Sequence, residues 1–161
     1  MSAQTIIFAL VTFLHDLFTV VWIGGLITLG LSVMPSIKKV LGKGPQTKKL
    51  MDAIQKRYSV WVYISLVGLV LTGLLQANRA PAFQGFFSFG NAYSAVLAIK
   101  HILVLAMIAI ALYRSLALGS TSTPAEEKLK ARLLMLNIVL GVSILLLSGF
   151  SAALSSGIPL V

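Results

Sequence analysis

Cysteine is absent from this chain of 161 residues. That excludes disulfides, thiolate zinc sites, iron–sulfur clusters and cysteine nucleophiles. Charge is scarce as well: 11% of residues are charged, where a soluble domain carries about a quarter. Asp and Glu number four against 13 Lys and Arg, giving a formal charge of +9. What is abundant is apolar: 58% of residues are hydrophobic and the mean hydropathy is +0.96. Such a composition excludes disorder, coiled coil and collagen, and it points to lipid.

The apolar residues fall in four blocks, Ile6 to Met34, Tyr58 to Gln76, Ala92 to Leu118 and Leu133 to Ala153. Crossing a hydrocarbon core takes about 20 residues of helix, so each block is long enough. A lipid-facing backbone must satisfy its own hydrogen bonds, and runs such as Ile6 to Val11 lack the alternation of a barrel strand. The reading is an all-α integral membrane protein: one domain over 1–161, an up-down four-helix bundle. Its helices are expected at about 3–36, 47–77, 92–118 and 124–155. The first block has no basic residue before it and no small-residue cleavage site after it, so it is not expected to be a cleaved signal.

Charges sit between the blocks. Lys38, Lys39, Lys43, Lys48, Lys49, Lys56 and Arg57 follow the first block; Arg114 stands near the end of the third, and Lys128, Lys130 and Arg132 lie between the third and fourth. By the positive-inside rule the loops 36–57 and 119–132 are cytoplasmic and both termini are outside, in a multi-pass protein of the cell membrane. The lysines then orient the chain and meet anionic headgroups. The lysine loop holds no aromatics for stacking on bases, so nucleic acid is not an expected partner.

Local signals agree. Thr123-Pro124-Ala125-Glu126 reads as a capping box with proline in the first turn, and Gly42, Gly44 and Pro45 break the chain between the first two helices. The outer loop from Asn78 to Asn91 carries Phe83, Phe86, Phe87 and Phe89. An interfacial aromatic belt is the preferred reading, and a lid over a pocket is compatible with it. Small residues such as Gly24, Gly25, Gly68, Gly73 and Gly141 permit close helix approach. On the second and fourth helices they would serve a homo-oligomer as readily as internal packing.

Polar groups inside the spans are costly and therefore carry the chemistry. They are few: His15 and Asp16 in the first helix, Lys100 and His101 in the third. With caps at Ser2 and Asn91, the histidines lie 13 and 10 residues into their helices, a depth difference of ~4.5 Å. Two imidazoles at one depth on diagonal helices suit the axial positions of a b-type haem. Phe18, Trp22 and Leu26 follow His15 at helical spacing and would wall the macrocycle, with Leu105, Ile108 and Leu112 below His101. Arg79 and Lys100 are the outer cations for propionates, and Asp16 would accept a bond from an imidazole or pair with Lys100. The expected metal ligands are thus His15 and His101, and the leading function is electron transfer with a quinone or an outer-face redox partner. The structural alternative is that each histidine only bonds a neighbouring helix. Copper is the competing metal, since imidazole also suits copper and Met107 lies almost two turns below His101.

The segment His15-Asp16-Leu17-Phe18-Thr19-Val20-Val21-Trp22-Ile23-Gly24-Gly25 resembles the first-helix signature of the copper-resistance protein D (CopD-like) family, a histidine followed seven residues later by Trp-x-Gly-Gly. Leu71-Thr72-Gly73, Lys100 and Arg114 match further family positions in order. The resemblance implies copper uptake or tolerance, often beside a periplasmic copper-binding partner. His15 and Lys100 are also similar to the haem-associated histidine and the activity-associated lysine of the HemJ-type protoporphyrinogen oxidases. That second resemblance implies porphyrinogen oxidation with Lys100 as its catalytic residue. The chain departs from the HemJ pattern elsewhere and adds His101 directly after the lysine.

Overall fold

The computed structural model describes residues 2–77, 79, 82–116 and 123–155, the side chains of 115 and 116 excepted. The expected third-helix end at 118, residues 119–122 of the second basic loop and the tail 156–161 lie outside the described residues. So do Asn78 and Pro81 of the phenylalanine-rich loop.

Four helices carry the described chain: α1 (Ala3–Leu41), α2 (Pro45–Ala77), α3 (Ala92–Leu116) and α4 (Pro124–Ser155). No strand occurs among the described residues. All four are long and apolar enough to cross a bilayer. Their outer faces settle the medium. Val67, Val70, Leu146 and Val139 are all more than half exposed, and only 11–28% of each span's most apolar window is buried. Water would not tolerate so much contiguous apolar surface, whereas lipid requires it. The fold is therefore the expected all-α, multi-pass membrane class.

The chain divides into two compact units, Met1–Arg79 and Ala80–Val161. In the first, α1 and α2 form an antiparallel hairpin whose contacts descend in register. At the N-terminal end of α1 the Arg79 guanidinium stacks over the Phe8 ring, 4.4 Å from its centroid. Deeper come His15 against Thr72, Phe18 against Gly68, and Trp22 with Gly25 against Tyr58. At the far end the Thr47 hydroxyl donates to the Leu41 carbonyl at 3.3 Å, satisfying one of the acceptors orphaned where α1 stops. Gly42 makes that stop with φ of 70°, a conformation side chains resist.

α1 is not a regular α-helix throughout. It begins at Ser2, whose side chain accepts from the Thr5 amide. It then widens into π turns at Val20–Gly24 and Leu29–Val33. The second lies just before Pro35, which has no N–H to offer the preceding turn. The first lies where the Tyr58 hydroxyl, reaching across from α2, donates to the Trp22 carbonyl. A tertiary donor takes up an acceptor that the i→i+5 pattern disturbs.

The second unit is a hairpin of α3 and α4. The Asn91 side chain caps α3 by accepting from the Ser94 amide at 2.7 Å. At the start of α4 the Thr123 hydroxyl accepts from the Glu126 amide, and the Glu126 carboxylate accepts from the Thr123 amide at 2.7 Å. That is the reciprocal capping box the sequence announces. Leu134, Asn137, Ile138, Gly141 and Ile144 form the buried face of α4. There the Asn137 amide donates to the Met107 carbonyl of α3 at 3.4 Å.

Candidate metal centre

His15 sits half-buried on α1, and its surroundings define how it can react. Its Nδ1 lies 2.9 Å from the Thr72 hydroxyl oxygen on α2. The Thr72 hydroxyl has one proton, which it donates to the Gly68 carbonyl one turn earlier at 2.6 Å. With the hydroxyl proton on Gly68, the hydroxyl accepts from the imidazole and Nδ1 carries the hydrogen; the opposite tautomer would draw that proton to Nδ1 instead. In the first arrangement the lone pair of the neutral ring belongs to Nε2, a nitrogen suited to a metal ion.

The rest of the seat is equally specific. The Thr19 hydroxyl donates to the His15 backbone carbonyl at 2.8 Å, fixing the turn that bears the ring. Gly73, next to Thr72, faces the ring edge: a Cβ there would stand 3.6 Å from His15 Cε1, an ordinary contact. Gly68 is closed on its open side by the Phe18 ring.

His101 on α3 has its tautomer set by a local route. Its Nδ1 lies 2.7 Å from the Leu97 carbonyl, which can only accept, so Nδ1 carries the hydrogen and Nε2 the lone pair. Phe86 and Phe87 meet the ring in tilted, edge-type contacts with centroids 5.2 and 6.3 Å away, and Phe83 stacks edge-on to Phe86. The loop holding these rings is fastened to the start of α3. The fully buried Ser94 hydroxyl accepts from the Gln84 amide and donates to the Ala82 carbonyl, to which the Asn91 amide also donates. Two of the four phenylalanines therefore dress a histidine rather than simply marking an interface.

The remaining expected residues fall differently. Asp16 is exposed, and the Nδ1 atoms of the two imidazoles meet Thr72 and Leu97 instead of its carboxylate. Lys100 is half-buried beside His101 in sequence. Arg79 is exposed, with its guanidinium on Phe8. Met107 is fully buried. Among the described residues no group of three or more His, Asp or Glu side chains gathers into a metal cage.

Nothing in the structure supports the expected haem wall. Phe18 lies against Gly68, while Trp22 and Leu26 are 4% and 7% exposed in the stretch of α1 where Tyr58 reaches in. Helical spacing put the three on one face, and at Phe18 that face meets Gly68 of α2.

Thr72 was not singled out by the sequence as a functional residue. Its signal there is slight: one hydroxyl in the apolar run Leu69 to Leu75, within the Leu-Thr-Gly triplet.

Comparison with family models matches the copper resistance protein D model to residues 52–151, well over half of the chain. Thr72, Gly73, Lys100, His101 and Arg114 fall inside the matched stretch, whereas the His15 to Gly25 segment precedes it. Comparison with curated proteins and with solved structures gave no match. The resemblance to HemJ-type oxidases gains nothing from these comparisons. With four spanning helices and a match of this extent, the chain belongs to the copper resistance protein D family.

Proposed function

We propose that the protein handles copper within the membrane, with the ion as cargo and the His15 imidazole as its principal protein ligand. The observation that carries this reading is the family match over residues 52–151, beside two imidazoles, His15 and His101, that lie within apolar spans. Family membership supplies the metal, and imidazole is a fitting ligand for copper.

His101 is a second single-imidazole station, its Nε2 presented beside Phe86 and Phe87. Sites built on one imidazole each suit an ion that must depart as well as arrive. The positive-inside rule places loop 36–57 in the cytoplasm and the His15 end of α1 toward the outer face. An outer-face copper-binding protein is then the natural donor. Asp16 and Lys100 would tune the charge felt by an arriving cation.

The test is metal analysis of protein purified from copper-replete cells, followed by anaerobic titration with Cu(I). The expected result is saturable copper binding with no Soret band. Metal-free protein that takes up no Cu(I) would overturn the proposal, and an extractable porphyrin with split Soret and alpha bands would restore the haem alternative.

A further inference from the structure

Resting on the copper reading, we infer that loop 82–91 is an aromatic cap that makes the His101 station selective for a soft, dehydrated monovalent cation. Phe86 and, outside it, Phe87 are the specificity-determining residues. Both rings meet the imidazole, with centroids 5.2 and 6.3 Å away, and Phe83 backs Phe86 at 5.0 Å. Phe86 is the half-buried inner ring and Phe87 the outer one, 59% exposed. Since the Nδ1 hydrogen goes to the Leu97 carbonyl, a cation can use only Nε2. The rings that the loop adds to this imidazole offer no lone pair and no hydrogen-bonding group.

The loop is built to hold those rings. The buried Ser94 hydroxyl accepts from the Gln84 amide at 3.1 Å and donates to the Ala82 carbonyl at 3.2 Å. The Asn91 side chain donates to the same carbonyl at 2.8 Å. Gly85 turns the chain just before Phe86 with φ of 131°, which suits glycine alone. A Cβ at Gly90 would collide with the Gln84 side chain. Phenylalanines of an interfacial belt need no such fastening, because lipid accepts them in any orientation; Phe89, 63% exposed, is of that kind.

Selectivity follows from what hydrocarbon walls do to hydration. Zn(II) takes about four ligands, so with one protein nitrogen it must keep its water. Phenyl rings cannot hydrogen-bond that water, and a hydrated ion beside His101 would leave its shell unsatisfied. Cu(I) carries a single charge, accepts few ligands, and gains from a neighbouring ring face as other cations do.

The test uses the full chain in detergent micelles carrying His15→Ala, which leaves His101 as the one histidine in the sequence. Phe86→Ala then removes the inner ring, while Ser94→Ala keeps every ring and removes the fastening. The first readout needs no metal: the rate at which diethyl pyrocarbonate acylates His101, followed by peptide mass mapping. It is expected to rise several-fold in both variants. The second is anaerobic affinity for Cu(I) and for Zn(II), whose ratio should narrow about tenfold when the cap is opened. An acylation rate unchanged in both variants overturns the inference, as does an affinity ratio that stays the same while the rate rises. Faster acylation in variants whose His15→Ala parent binds no Cu(I) overturns the copper reading of His101, and the selectivity with it, and leaves the loop as a barrier over the imidazole.

Discussion

Replacing His15 with alanine is expected to abolish saturable copper binding at the first station while leaving the hairpin of α1 and α2 folded. The two halves of that expectation have separate causes. Binding would be lost because the imidazole is the proposed nitrogen ligand on α1 and the neighbouring carboxylate, Asp16, is an exposed hard oxygen donor. Folding is kept because Thr72 does not depend on His15 for its own proton, which stays on the Gly68 carbonyl. The hydrogen bond to Thr72 that disappears is worth about 1 kcal/mol net. Copper titration beside thermal unfolding of the same sample separates the effects. A variant that still binds copper as tightly as wild type would remove His15 from the site.

Gly68→Val should be the most damaging single change to the first hairpin. The Phe18 ring lies where a Cβ at position 68 would be built, and an aromatic ring cannot swing aside as a flexible chain end would. Forcing extra carbon into a packed contact costs about 1–3 kcal/mol, and small residues are what let membrane helices approach closely. The strain would fall one turn from Thr72, so it would also tilt that hydroxyl away from His15. Loss of thermal stability and weakened copper binding are expected together, and trimming Phe18 to alanine in the same chain should return part of both. If Gly68→Val unfolds at the wild-type temperature, the close approach of α1 and α2 described here is wrong.

These expectations show where sequence reasoning succeeds. Caps are local, so Ser2, Asn91 and the Thr123–Glu126 box could be read from neighbouring residues and are observed. Span length and hydropathy are equally local, and lipid leaves the backbone little choice but helix.

Tertiary partners were less legible. Spacing by four places Phe18, Trp22 and Leu26 on one side of α1, yet periodicity does not say whether that side meets a cofactor or another helix; at Phe18 it meets Gly68 of α2. The π turn at Val20–Gly24 accompanies a hydroxyl from Tyr58, far away in sequence. The hydroxyl that meets His15 is likewise remote. Asp16 was the obvious candidate by adjacency, but successive side chains on a helix diverge, and a residue across the hairpin is better placed to meet the ring. The aromatic loop was half legible: its composition marked it, while the contacts of Phe86 and Phe87 with His101 depend on Ser94 and Asn91 fastening the loop to α3.

X-ray absorption at the copper edge of Cu(I)-loaded protein addresses the ligand itself. The account predicts the multiple-scattering pattern of coordinated imidazole, diminished in the His15→Ala variant. A spectrum without imidazole scattering, or one unaltered by that substitution, would contradict it.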